Sequence, residues 1–182
     1  ALGLASETKP ILDRILKGAP DEALKRAMAL ARVAPMAAPP VHAVGAAQAA
    51  LGQWGQAVTA FAEAVRRDPQ NAGYLVDLGR ALTRTGRPEA AIARLREAEA
   101  LGADVALPLA RALSDSCRED EAATILEAAA ARKASFALLA QLATARAALR
   151  EVEAARDAFT AALRARPRGA GTDLRQSLAT AL

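Results

Sequence analysis

Aromatic side chains are the scarcest resource of this chain. They make up only 3% of its 182 residues, as one Trp, one Tyr and three Phe. A binder of single-stranded nucleic acid needs stacking platforms along a basic groove, so no nucleic-acid partner is expected. One Cys excludes an internal disulfide framework and a four-cysteine zinc site. One His argues against His-based metal or catalytic clusters. No apolar run reaches the roughly 18 residues of a membrane span, and the first ten residues lack the basic-then-apolar pattern of a secretory signal. A cytoplasmic protein is expected, with a periplasmic one compatible if a signal has been cleaved. Gly169-Ala170-Gly171 follows no strand and lacks the Lys-Ser/Thr ending of a phosphate loop. No cofactor and no catalytic site are expected. β-Branched residues are also few, which disfavours a sheet-rich fold.

What is present is helix-forming. Alanine is the commonest residue, followed by Leu and Arg, all strong helix formers. Hydrophobic residues at 53% and charged residues at 24% suit a folded chain. A net charge of +4 is only mildly basic. One offset of 34 residues relates Gly45 to Gly79, Gly52 to Gly86, Ala57 to Ala91, Phe61 to Leu95 and Ala64 to Ala98. Within a unit, Val41, Val44, Gly45, Gln48 and Leu51 form one helical stripe, and Ala57, Val58, Phe61, Ala64 and Val65 form a second. Gly52 between them suits the left-handed end of a helix, and Asp68-Pro69 stops the second. Small Gly45, Ala57 and Ala64 let the two helices approach, with Phe61 filling the space between.

This pattern resembles the tetratricopeptide repeat family, whose 34-residue unit is a helix-turn-helix. The resemblance implies an all-α fold, a right-handed α-α superhelix or solenoid, of about five hairpins across residues 1–182. The repeats fall at about 4–37, 38–71, 72–102, 103–135 and 136–169, with a capping helix at about 172–182. In the fifth unit Arg150 replaces the turn glycine. In the fourth, Ala122 and Ala123 fit the register about equally well. Asn71, Asp104 and Ser135 are placed to cap first helices. Pro20, Pro39-Pro40 and Pro88 stand at helix starts, where the missing amide hydrogen matters little.

Residues that stand out chemically have plain structural readings. Cys117 reads as a turn or core residue, His42 as a polar surface residue, and Trp54 as packing against the neighbouring hairpin. In the resembled family, first helices line a concave groove that binds peptides. The groove positions implied here are His42, Ala46, Ala49 and Ala50, then Val76, Arg80, Thr83 and Arg84. In the later units they are Leu107, Arg111, Ser114 and Asp115, then Ala140, Thr144, Ala147 and Ala148. Ala46, Asp77, Asp104 and Pro108 stand where chaperone-binding members hold a terminal carboxylate, so that use is disfavoured. Arg80, Arg84 and Arg111 imply a groove that attracts an acidic or carboxylate-bearing segment. The function implied is a non-enzymatic protein-interaction scaffold. The alternative is the N-terminal module of a larger bacterial enzyme such as a sulfotransferase or glycosyltransferase.

Overall fold

A computed structural model describes residues 2–165, and the side chains from residue 7 onward. It is all-α, with ten helices and no strand among the described residues. They pair as five hairpins: α1 (Leu2–Leu16) with α2 (Pro20–Val33), α3 (Ala38–Ala50) with α4 (Trp54–Arg67), α5 (Ala72–Arg84) with α6 (Pro88–Ala100), α7 (Ala106–Asp115) with α8 (Glu119–Arg132), and α9 (Phe136–Ala148) with α10 (Val152–Arg164). The segment expected to cap the array, about 172–182, lies outside the described residues. The chain divides into two compact units, one ending at Val105 and one starting at Ala106. In the first, α1, α3 and α5 touch in sequence while α2 and α4 pack against the next hairpin's first helix. In the second, α7 touches α9, and α8 packs on both.

The five turns share one construction. Gly18, Gly52 and Gly86 have φ of 78°, 75° and 70°. Such left-handed backbone is open to glycine and strained for other residues. At Gly52 the amide donates to the Ala49 carbonyl at 3.0 Å, and the Gln53 amide donates to the Gln48 carbonyl at 2.9 Å. These two bonds satisfy helix-end carbonyls that would otherwise lack partners. Cys117 and Arg150 occupy the same place in the fourth and fifth hairpins with φ of 56° and 61°, and they keep the same hydrogen bonds to Ser114 and Ala147. The turn thus settles the register of the fourth unit. The Ala122 amide donates to the Arg118 carbonyl just as Ala91 does to Arg87 and Ala57 to Gln53, so Ala122 is their equivalent.

Counting from the turn residue also explains the packing. Seven positions before it stand Gly45, Gly79, Ala110 and Ala143, and nine after it stand Phe61, Leu95, Leu126 and Phe159. Every one of these is buried. A small residue on the first helix receives a large one from the second, so the backbones approach closely. A Cβ added at Gly79 would lie 2.6 Å from Leu95 Cγ. The first hairpin reverses the pair: Ile11 takes the small position and Ala27 the large one, both buried. Hole and knob have changed helices, so the small-then-large pattern of the other units is absent there. Leu16 is 85% exposed at the end of α1.

The helix starts follow local chemistry. The side chains of Asn71 and Ser135 accept hydrogen bonds from the Tyr74 and Leu138 amides. Prolines occupy the first turns of α2, α3 and α6. Asp104 stands two positions ahead of α7, which begins at Ala106.

Candidate functional site

The first unit brings several of the groove positions together around α3 and α5. His42 is half-buried, contrary to its reading as a surface residue. Its ring stacks on Tyr74 at 4.6 Å between centroids and tilts against Phe61 at 5.3 Å. Its Nε2 lies 2.8 Å from Asp77 Oδ2. An ionised carboxylate can only accept, so Nε2 carries the proton in that bond. The other Asp77 oxygen lies 3.6 Å from the Arg80 guanidinium, which is 60% exposed. Asp77 therefore joins two neighbouring repeats and holds a cation at the surface. Burial, with the Asp68 charge in a smaller role, holds the Tyr74 phenol above its ordinary pKa.

One turn beyond Arg80, the exposed Arg84 lies over the Trp54 ring at 5.3 Å. This cation–π contact crosses from the third hairpin to the second, so Trp54 packs against its neighbour as its position implied. Val76 is half-buried. Thr83 is turned inward: it is buried and its hydroxyl donates to the Gly79 carbonyl at 3.0 Å. It offers the groove nothing, because back-bonding to the helix uses its hydroxyl.

In the second unit, α7 and α9 frame a cleft of about 350 Å3. Arg111, Ser114 and Asp115 line it from α7, Glu119 from the start of α8, and Gln141, Thr144, Ala145 and Ala148 from α9. Leu107 is partly exposed one turn before Arg111. Gln141, Ala145 and Glu119 were not among the residues marked by the repeat pattern. Glu119 belongs to a second helix, and only the tight turn at Cys117 brings it to the cleft. Arg146, beside this site on α9, pairs with Glu127 of α8 and with Glu151, and both raise its pKa. Cys117 itself is exposed. No group of three potential metal ligands occurs among the described residues, and none of the described helices is long and apolar enough to cross a membrane.

Comparison with known proteins fits this geometry. The tetratricopeptide repeat family model matches residues 48–105. Those residues run from the last turn of α3 through α4 and the whole third hairpin. Over residues 48–105 the chain is similar to tetratricopeptide repeats. Solved structures extend the fold to nearly the whole chain. MamA from Desulfovibrio magneticus RS-1 superposes with a TM-score of 0.76 at 21% identity, covering 96% of each chain. TTC0263, a thermophilic tetratricopeptide repeat protein of Thermus thermophilus, gives 0.75 at 21% identity, covering 97% of this chain and 98% of its own. YrrB, described as a tetratricopeptide repeat protein with an unusual peptide-binding site, gives 0.74 at 17% identity, covering 93% and 88%. No curated sequence matches. At these identities the likeness establishes the repeat fold.

Proposed function

We propose that this chain is a non-enzymatic scaffold that binds a peptide or partner protein across its first helices. The observation that carries the reading is the contrast between helix faces. The second helices place Phe61, Leu95, Leu126 and Phe159 inside the array, whereas α5, α7 and α9 present Arg80, Arg84, Arg111, Gln141 and Thr144 around open surface and a cleft. Peptide binding by a similar fold, as in YrrB, supports it by analogy.

In the first unit, Arg80 and Arg84 are exposed cations held by Asp77 and Trp54. Held cations lose less entropy on binding than free ones. They favour an acidic stretch of the partner at that place, and Arg is able to grip a carboxylate with two parallel hydrogen bonds. The test is a pull-down from native lysate with the parent chain, with Arg80→Glu/Arg84→Glu, and with Arg26→Glu on α2 as control. A protein retained by the parent and the control but lost by the double variant supports the assignment. Equal retention by all three overturns it for this face.

A further inference from the structure

The α7–α9 cleft differs in charge from the arginine pair of the first unit. Arg111 shares it with two carboxylates, Asp115 and Glu119. Arg111 and Asp115 stand one helical turn apart, the usual spacing of an ion pair. Yet none of these three groups makes an ion pair with another described residue. Among the described residues, no ion pair neutralises these charges.

A second observation points the same way. α7 ends at Asp115 and α9 ends at Ala148, and both end residues line the cleft. The C-terminus of a helix carries a partial negative charge from its last carbonyls. Two negative helix ends and two carboxylates thus surround one opening. Against them stand Arg111, a turn further back, the N-terminus of α8, which Glu119 already faces, and Arg146 in the last turn of α9, whose charge Glu127 and Glu151 already engage. No basic residue occupies the last turn of α7. At about 350 Å3 the cleft is at the small end of ligand sites, the size of one or two side chains.

We propose that this cleft receives a basic side chain, lysine or arginine, from an extended peptide segment. The cation sits between Asp115 and Glu119. Arg111, set back on α7, donates to a carbonyl or carboxylate of the same segment, and Gln141 fixes the peptide backbone beside it. This rests on the peptide-binding reading above and adds to it the charge of the residue bound.

The test uses the full 182-residue chain to select binders from a random peptide library displayed on phage. Clones are then assayed as blocked synthetic peptides against the parent, Ala148→Phe, which fills the cleft, and Asp115→Asn/Glu119→Gln. The proposal expects lysine or arginine to be enriched at one position. It expects affinity to fall at least about tenfold in both variants, as the loss of a charge-assisted hydrogen bond implies. Exchanging that basic residue for glutamine in the peptide should weaken binding equally. Peptides that Ala148→Phe blocks but that carry neutral or acidic residues there overturn the proposal and leave the peptide-binding reading standing. Peptides whose affinity Ala148→Phe leaves unchanged also overturn it. A selection that yields no binder overturns both. Helical melts within a few degrees of the parent for each variant establish that the losses are local.

Discussion

Adding one methyl group should have opposite effects at two glycines ten residues apart. At Gly45, in the middle of α3, an added Cβ would lie 2.7 Å from Phe61 Cδ1 and 2.8 Å from Cε1. That is about 0.8 Å short of the roughly 3.5 Å at which carbon atoms make favourable contact. Phe61 is 3% exposed and its ring touches His42, so it has little room to retreat. Overpacking of this kind costs about 1–3 kcal/mol. Replacing a helical glycine with alanine returns about 1 kcal/mol. The net expectation for Gly45→Ala is a loss of about 0–2 kcal/mol. Gly55, in the first turn of α4, has nothing within 4 Å of the same methyl group. There only the propensity gain remains, up to about 1 kcal/mol of stabilisation. The fifth hairpin tolerates Ala143 opposite Phe159, so a helix pair built around alanine can hold an aromatic ring. That keeps the expected cost at Gly45 modest. The fourth hairpin pairs Ala110 with Leu126, both fully buried. Phe61→Leu should therefore relieve Gly45→Ala, with a coupling of about 0.5–3 kcal/mol in a double-mutant cycle. Urea melts followed by circular dichroism measure all four proteins. Gly45→Ala as stabilising as Gly55→Ala, or full additivity with Phe61→Leu, would refute the close approach of α3 and α4.

Three further outcomes follow from the same structure. Phe61→Ala should cost about 3–5 kcal/mol, and because Trp54 is the only Trp and lies in the first unit, its fluorescence transition should shift more for Phe61→Ala than for Phe159→Ala. Equal shifts would mean the units unfold as one. Cys117→Gly and Arg150→Gly should each stabilise by about 0–1.5 kcal/mol: about 1–2 kcal/mol of left-handed strain is relieved, offset by about 0.4–1 kcal/mol of added unfolded-chain entropy. A loss in both thermal melts would argue against the positive φ. Hydrogen bonds from Arg66 and Arg67 hold Glu63 down from 4.5 to about 2. A lowered folded-state pKa contributes stability above the unfolded value, and that contribution is lost as pH falls from 4.5 towards 2. Glu63→Gln should therefore flatten the stability–pH curve in that window, and an unchanged slope would show the arginine contacts to be absent in solution.

The repeat was legible because its signals are local. Gly52 and Gly86 announce left-handed turns, and Gly45 with Phe61 announces a close helix pair, all by residue type at fixed spacing. Where another residue adopts the same backbone, as at Cys117, composition is silent, and only the turn hydrogen bonds fix the register. The reversal of Ile11 and Ala27 is invisible for the same reason: a pattern that looks for small then large misses large then small. At the candidate site the sequence marked positions but not their partners. His42 and Asp77 are 35 residues apart, one more than the repeat, so their contact depends on how adjacent hairpins stack. Thr83 sits at a groove position by spacing, yet its hydroxyl is satisfied inside its own helix. The three arginines suggested one basic trough, but Asp77, Trp54 and the carboxylates beside Arg111 give each a different setting.

The central claim is that partners bind the first-helix face. A photo-crosslinking amino acid placed at single positions tests it most directly, once a partner has been captured. Sites Arg80 and Thr144 lie on α5 and α9, and sites Arg96 and Thr124 are exposed on α6 and α8. The account predicts covalent capture of the partner from Arg80 or Thr144 and none from Arg96 or Thr124. Capture only from Arg96 or Thr124 would contradict it, because the binding surface would then be formed by the second helices.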